Sequence, residues 1–194
     1  MRLPGRGDGP ADWLIVGLGN PGAEYAGTRH NIGFEVANAL LARWDLAKPK
    51  SKYRGLFAQG RTGPGGLRVA VLLPQTFMND AGRSVGPARG ALKVELDRVL
   101  VIHDEIDLPF GEIRVKTGGG VAGHNGLKSV RQALGSPDFP RVRVGVGRPP
   151  STDPDRVAAY VLSRFKEPRE EVEALTERAA NIAEDVVRRG IVDT

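Results

Sequence analysis

The stretch WLIVGLGNPGAEYAGTRHN, residues 13–31, joins an apolar run to a glycine-rich loop. The run is short, largely apolar and bounded by glycines, which predicts a buried strand over 13–18. Apolar residues then recur at helical spacing from 31 to 44, which predicts a helix. A strand, a loop and a helix in this order form the first unit of an α/β fold.

The rest of the chain continues this alternation. Two short runs, 56–61 and 67–73, flank TGPGG and predict a β-hairpin. Further strands are predicted over 99–103 and 142–146, and further helices over 81–92, 127–134, 153–162 and 167–189. We therefore predict an α/β, single-domain three-layer sandwich, with a twisted, mixed, mostly parallel sheet flanked by helices.

Length and composition limit the class of protein. The 194 residues suit one domain at 13–194, and residues 1–12, MRLPGRGDGPAD, predict a flexible N-terminal tail. No apolar run approaches the ~20 residues of a membrane helix. The absence of cysteine excludes disulfides, thiolate metal sites and a cysteine nucleophile. We expect a cytoplasmic protein without a membrane partner.

The net charge of +5 is concentrated in one segment. Between residues 109 and 150 the acids are Glu112 and Asp138, and the bases are Arg114, Lys116, Lys128, Arg131, Arg141, Arg143 and Arg148. Residues 151–194 carry more acids than bases. This clustering favours a phosphate-bearing partner over a merely solvated basic face.

Gly17, Gly19 and Gly22 have the spacing of a dinucleotide-binding turn. Such a turn has a helix starting at the glycines and an acid at the end of the next strand. Here the helical pattern starts only near Asn31, and Asp45 follows a helix. A nucleotide-dependent enzyme is therefore the less favoured interpretation, and binding of NAD or ATP would test it.

Polar residues that follow predicted strands or begin helices point to one crevice at the carboxyl ends of the strands. They are Asn20, His30, Asn79, Asp104 and Asn125. A histidine at a helix N-terminus is kept neutral by the helix dipole, as a general base requires. An aspartate that accepts from one imidazole nitrogen leaves the other free to take a proton. The set therefore favours Asp104 as the partner of His30.

This set contains a base, a carboxylate and amides, but no nucleophile and no G-x-S-x-G elbow. Attack by an activated water is the chemistry that fits it. A metal site is the alternative, because His30, His103, His124 and Asp104 are all potential ligands. Their spacing matches no familiar zinc pattern.

Five segments together resemble the bacterial-type peptidyl-tRNA hydrolases. They are LIVGLGNPGAEYAGTRHNIGF, PQTFMN, HDEIDLPFGEIRVKTGGG, GHNGLKS and RVRVGVGRP. They occur in the family's order, and the resemblance extends from about Trp13 to the C-terminal helix. It implies hydrolysis of the ester that joins a peptide to the 3′ end of tRNA. It also implies no metal and no cofactor, a peptidyl-tRNA partner and a monomer.

The resemblance also implies residue roles. His30 would be the general base, Asp104 its partner, and Asn20, Asn79 and Asn125 would hold the substrate backbone and the water. Met78 would help shape the peptide groove, and Tyr25 and Phe77 would also contact the peptidyl-tRNA. Lys116 and Arg143 would clamp the tRNA 5′ phosphate.

The chain departs from the family pattern at a few positions. Asp80 and Ala81 stand where a neutral residue and then serine are common, and Ala122 stands where glycine is usual. We expect Ala122 to stiffen the loop that carries Asn125. The remaining alternative is a non-catalytic RNA-binding member of the same fold, which a hydrolysis assay would distinguish.

Overall fold

The first predicted strand lies in the middle of the sheet. The structure is a computed structural model that describes residues 9–191 and 193–194. Within that part of the chain, the strands are β1 (Trp13–Gly17), β2 (Lys50–Lys52), β3 (Gly55–Arg61), β4 (Arg68–Pro74), β5 (Val99–Glu105), β6 (Ile113–Thr117) and β7 (Pro140–Gly145). The helices are α1 (Ile32–Arg43), α2 (Gly82–Leu92), α3 (Asn125–Leu134), α4 (Pro154–Val161) and α5 (Arg169–Arg189). Short 3-10 helices lie at Arg29–Asn31, Met78–Asp80 and Leu96–Arg98.

The seven strands of the described chain form one mixed sheet in the order β2-β3-β4-β1-β5-β7-β6. The central strands β4, β1, β5 and β7 are parallel, and β2, β3 and β6 pair antiparallel at the two edges. The predicted mixed sheet is confirmed, but parallel pairs predominate only in its centre. Tight connections join β2, β3 and β4, and such connections produce antiparallel neighbours.

Helices cover both faces of the sheet, which confirms the three layers. On one face, Ile32 of α1 and Leu175 of α5 belong to the same apolar cluster as Ile15 of β1. On the other face, α2 and α3 pack together, and Val85 of α2 shares a cluster with Val16 of β1. Successive side chains of a strand point to opposite faces, so β1 contributes to both clusters. Among the described helices, none combines the length and apolar character needed to cross a membrane.

Each predicted strand and helix is present, with its ends within one or two residues of the prediction. The two edge strands, β2 and β6, were not predicted from the sequence. Their sequences are KSK and IRVKT, and edge strands that carry charges lack a clear apolar pattern.

The N-terminal boundary differs in part from the prediction. Residues 1–8 of the predicted tail lie outside the described residues. Ala11 donates a backbone hydrogen bond to Leu92, and Asp12 donates one to Arg68. These two residues, assigned to the tail from sequence, are therefore attached to the domain.

The glycines of the opening loop allow close packing. A Cβ at Gly17 would lie 2.3 Å from the carbonyl oxygen of Gly33, and one at Gly19 would lie 2.7 Å from a phenylalanine ring of α1. Gly22 has a φ of +107° and forms a turn. Because α1 begins only at Ile32, the loop lacks the helix N-terminus that a dinucleotide turn requires.

Candidate active site

His30 and Asp104 form the centre of the candidate site. His30 lies in the 3-10 helix before α1, and its Nδ1 is 2.8 Å from Oδ2 and 3.0 Å from Oδ1 of Asp104. The side chains are 12% and 2% exposed. Asp104 lies inside β5, because that strand extends two residues beyond the predicted end. The structure thus brings these two residues into direct contact.

His124 is a second partner of Asp104 that the sequence reasoning missed. Its Nε2 is 2.9 Å from Oδ1 of Asp104, and its Nδ1 accepts a hydrogen bond from the backbone N–H of Leu127. A neutral imidazole has one donor and one acceptor nitrogen. His124 therefore carries its proton on Nε2 and donates it to Asp104. In the sequence, this role of His124 is indicated only by its position just before α3, where it is the N-cap.

Burial and charge act in opposite directions on the central pair. Burial lowers the pKa of His30, but the charge and hydrogen bond of Asp104 outweigh it, so this pKa lies above its usual 6.5. This direction is opposite to the one expected from the helix N-terminus alone, because the carboxylate is in direct contact with the ring. Burial raises the pKa of Asp104, but the two imidazoles hold it well below its ordinary range. Asp104 thus remains a carboxylate that accepts the Nδ1–H of His30. The other nitrogen of His30, Nε2, is free to accept a proton.

His103 is a buried neutral histidine behind this cluster. Burial, together with nearby His124, lowers the pKa of His103 to about 3. Its Nδ1 donates to the backbone oxygen of Asp104 at 2.8 Å, and its ring lies 5.1 Å from that of His124. His103 therefore packs against the site as a neutral imidazole and does not take up a second proton near neutral pH.

The metal alternative can be tested against these hydrogen bonds. One ligand atom from each of His30, Asp104 and His124 lies within 4.8 Å of the others. However, His124 uses Nε2 on Asp104 and Nδ1 on the start of α3, while His30 uses Nδ1 on Asp104. The nitrogen and oxygen atoms that could bind a metal are already hydrogen-bonded to one another or to backbone. The cluster therefore fits a hydrogen-bonded catalytic pair better than a set of metal ligands.

Asn20 joins the glycine-rich loop to two other segments. Its backbone N–H donates to Oδ1 of Asn31, and Nδ2 of Asn31 donates back to its carbonyl oxygen, both at 2.9 Å. Its side-chain Oδ1 accepts the backbone N–H of Met78 at 2.7 Å. Asn31 therefore positions Asn20. Asn31 was not among the predicted site residues, and the sequence indicates this role only by its position next to His30.

Met78 connects this loop to the start of α3. A Cβ at Gly126 would lie 2.4 Å from Sδ of Met78 and 3.1 Å from the ring of His124, so only glycine fits there without a shift. Asn79 and Asn125, the residues that follow Met78 and His124, are both exposed. Met78 therefore links Asn20 to the start of α3, and its contacts join the segments that carry Asn79 and Asn125.

The two predicted aromatic residues differ in exposure. Phe77 is 61% exposed, directly before the buried Met78. Tyr25 is half-buried, and its carbonyl oxygen accepts the Thr28 hydroxyl at 2.8 Å. Phe77 therefore presents most of its ring to solvent, whereas Tyr25 presents only part of its side chain.

Four cations, which we call the basic face, share one face of the β6–β7 pair: Arg114, Lys116, Arg141 and Arg143. Lys116 stands opposite Arg141, and Arg114 opposite Arg143. Directly opposed residues of an antiparallel pair lie on the same face, and like charges there repel. Such a face is stabilised by bound anions.

The four cations are compensated unequally. Arg143 pairs with Glu105 at 2.8 Å, and Arg114 pairs with Glu112 at 2.9 Å. Arg141 is 2% exposed and donates to the carbonyl oxygens of Gly119, Gly120 and Pro137, which holds the glycine-rich loop before α3. Lys116 is exposed, and no acceptor for it is found in the described chain. Of the two predicted phosphate ligands, Lys116 is thus available, whereas Arg143 already has a carboxylate.

Ala122 has a φ of +45° in that loop. A residue with a Cβ is strained in the left-handed region, where glycine is not. The stiffening of the loop that we expect from Ala122 is therefore accompanied by backbone strain at this residue. Asp80 and Ala81, the other departures, end the 3-10 helix and precede α2.

Comparison with known proteins gives a consistent result. Residues 14–194 match the family model described as peptidyl-tRNA hydrolase. The chain is 50% identical over 180 residues to peptidyl-tRNA hydrolase of Mycobacterium sp. strain KMS, covering 92% of each chain. It is 45% identical over 193 residues to that of Frankia casuarinae, covering 98% of this chain and 94% of the relative. The crystal structure of peptidyl-tRNA hydrolase from Acinetobacter baumannii aligns with a TM-score of 0.78 at 40% identity, over 90% of this chain and 86% of the other.

Proposed function

This chain belongs to the peptidyl-tRNA hydrolase family, and from that premise we propose that it hydrolyses the ester between peptide and tRNA by attack of a water that His30 activates. The products are free tRNA and free peptide, so the reaction recycles peptidyl-tRNA released prematurely in translation. The hydrogen bond from Nδ1 of His30 to Asp104 carries the proposal. It leaves Nε2 as the proton acceptor. A non-catalytic RNA-binding role is not favoured, because it requires no such pair.

The proposed reaction proceeds in two steps. Nε2 of His30 takes a proton from water as the water oxygen bonds to the ester carbonyl carbon. The tetrahedral intermediate then expels the ribose oxygen, which receives that proton from Nε2. Asp104 accepts the Nδ1–H throughout and stabilises the imidazolium between the steps. A positioned general base contributes about 10²–10⁴ in rate.

The asparagines supply hydrogen-bond donors for substrate and intermediate. We assign the developing oxyanion to the amide of Asn79, a contact worth about 10²–10³ in rate. Asn125 and Asn20 hold the substrate backbone and the water. Oδ1 of Asn20 is occupied by Met78, and Nδ2 has no partner in the described residues, so the donor end of this amide is available.

The peptide and the tRNA occupy different surfaces in this proposal. The peptide lies against Tyr25, Phe77 and Met78. The tRNA 5′ phosphate binds Lys116 and Arg143 on the basic face. The exposure of Lys116 and the repulsion within that face support this assignment.

The deciding experiment compares N-acetylaminoacyl-tRNA with unblocked aminoacyl-tRNA. We expect release from the blocked substrate only, and we expect His30→Ala to lower kcat by about 10²–10⁴. Binding of uncharged tRNA, measured by fluorescence anisotropy, is the control and should be unchanged. Retained hydrolysis by His30→Ala contradicts the assignment of the base. A wild-type protein that binds tRNA without hydrolysing the substrate supports the RNA-binding alternative instead.

We also propose that the chain acts as a monomer in the cytoplasm. Few large apolar side chains of the described residues are exposed, namely Leu56, Phe77 and Leu162. A stable dimer interface needs a larger apolar patch. Sedimentation at micromolar concentration should give the mass of one chain, and a dimer there contradicts the proposal.

A further inference from the structure

Arg29 is a fully buried cation next to the proposed general base. It is 1% exposed, and no carboxylate pairs with it in the described part of the chain. Burial of a guanidinium is unfavourable unless hydrogen bonds and ring contacts compensate for the lost water. An apolar side chain of similar volume fills such a space without that cost. Core packing alone therefore does not account for an arginine here.

The side chain of Arg29 contacts the last turn of α4 and the connection that follows it. Its Nη1 donates to the carbonyl oxygens of Tyr160 at 3.0 Å and Ser163 at 3.4 Å, and to the hydroxyl of Ser163. Its guanidinium carbon lies 3.8 Å from the centroid of the Tyr160 ring, a cation–π contact. The Tyr160 hydroxyl in turn donates to the carbonyl oxygen of Val146, just after β7, at 2.7 Å.

The backbone around Arg29 is tied to the same connection. The N–H of Arg29 donates to the carbonyl oxygen of Ser163 at 3.1 Å, and Thr28 forms an isolated β-bridge with Arg164. The side chain and the main chain of this segment are thus anchored together. The segment immediately before His30 has little freedom to move relative to the C-terminal part of the chain.

The three residues of the 3-10 helix hold three different partners. With three residues per turn, consecutive side chains point about 120° apart. Arg29 contacts the end of α4 and the residues after it, His30 contacts Asp104, and Asn31 contacts Asn20. The backbone of His30 is therefore fixed from both sides, and the direction of its ring follows from that backbone.

We propose that Arg29 is a positioning residue that aims the His30 imidazole at the reacting water. This inference rests on the proposed function of His30. Arg29 is buried away from the surface at which a substrate would bind, so it acts through the backbone it shares with His30. A displacement of the base by about 1 Å lowers a rate by up to about 10²-fold. Loss of the Arg29 contacts should therefore lower kcat and leave substrate binding unchanged.

The test compares Arg29→Met with Trp44→Phe. Met preserves much of the volume but removes the donors and the charge. Trp44→Phe removes a 2.6 Å hydrogen bond from Nε1 to Glu184 at the other end of α1, and so loosens the same helix away from the site. At a temperature where both variants are folded, we expect Arg29→Met to lower kcat about 10- to 100-fold with KM within about threefold. Trp44→Phe should leave both constants near wild type.

Proton NMR of the His30 Nδ1–H provides a readout independent of turnover. We expect this resonance to shift or broaden in Arg29→Met and to stay unchanged in Trp44→Phe. If Arg29→Met does not fold, Ser163→Ala decides, because it removes one acceptor of the guanidinium and should shift the same resonance. A wild-type kcat and an unshifted resonance in the folded variants overturn the proposal. An inactive wild-type protein contradicts the proposed function instead, while the resonance still tests the role of Arg29.

Discussion

At the scale of single residues, the decisive feature is a carboxylate shared by two imidazoles. Asp104 accepts from Nδ1 of His30 and from Nε2 of His124. The N–H of Leu127, in the first turn of α3, donates to Nδ1 of His124. The proton of this imidazole is therefore on Nε2, the nitrogen that faces Asp104. The carboxylate thus stays ionised, and it orients the base without removing its proton.

Asp104→Asn tests the electrostatic part of this arrangement. The Asp104 charge raises the pKa of His30 against the effect of burial. The base is neutral only above its pKa, so kcat/KM rises with pH through that value. Without the charge burial dominates, the pKa falls, and the acid limb of the pH–rate profile moves to lower pH. We also expect kcat to fall by about 10²–10⁴, because the tautomer is no longer fixed.

The matched control for this variant is Asp107→Asn. Asp107 is an exposed acid just after β5, and it pairs with Arg148 at 2.5 Å. Its neutralisation changes the net charge equally without touching His30, so the acid limb should not move. An acid limb that stays in place in Asp104→Asn, or moves to higher pH, contradicts the assigned cause of the raised pKa.

At the scale of elements, the site depends on how closely α1 approaches the sheet. A Cβ at Gly33, in the first turn of α1, would lie 2.5 Å from the carbonyl oxygens of Leu18 and Ile102. These are backbone oxygens, which cannot move away from an added methyl group by a change of rotamer as side-chain atoms can. The 3-10 helix that carries His30 continues directly into this turn. The close approach therefore sets how far the base lies from β5.

Gly33→Ala should destabilise the protein by about 1–3 kcal/mol or more, because the added methyl overpacks rigid backbone. Gly90→Ala, in α2, is the matched control, since a Cβ there meets nothing within 4 Å. That change should stabilise the helix by about 0.5–1 kcal/mol. Urea denaturation followed by circular dichroism measures both. Equal stabilities of the two variants are incompatible with the packing described for α1.

At the scale of the whole molecule, the His30–Asp104 pair and the basic face occupy separate parts of one sheet. The His30–Asp104 pair lies at the carboxyl end of the parallel centre, and the basic face lies on the antiparallel pair at one edge. The C-terminal residues add to that edge, where Thr194 exchanges hydrogen bonds with Val115, and Asp193 accepts from Thr117. The open side of β6 is thus partly covered next to the basic face.

Lys116→Ala tests the role of this face in tRNA binding. We expect weaker tRNA binding and a salt dependence whose log–log slope falls by about 1, the loss of one phosphate contact. Arg143→Ala should act in the same direction, although it also releases Glu105. Arg169→Ala is the control, because Arg169 is 89% exposed at the start of α5 and lies outside the basic face. Equal salt slopes in Lys116→Ala and Arg169→Ala would show that Lys116 does not contact a phosphate of the tRNA.

Much of this molecule follows from local pattern. The apolar periodicity of residues 13–44 predicts β1, the loop and α1, since burial of a strand face or a helix stripe depends on spacing along the chain. The polar residues at strand ends predict His30 and Asp104 as neighbours, because parallel strands end at a common edge. The edge strands β2 and β6 were not predicted, because a charged, half-exposed strand has no such pattern.

The fold class, the order of the elements and the residue types of the central pair were predictable from the sequence, because all of them depend on short-range spacing. Other features follow from contacts between distant segments: Asp104 accepts from two histidines, and Arg143 pairs with Glu105. Arg29 and Arg141 are buried cations that donate to carbonyl oxygens. Hydrogen bonds between side chains and distant backbone depend on how elements approach one another. That approach is set by packing over the whole chain, and no local pattern of residues records it.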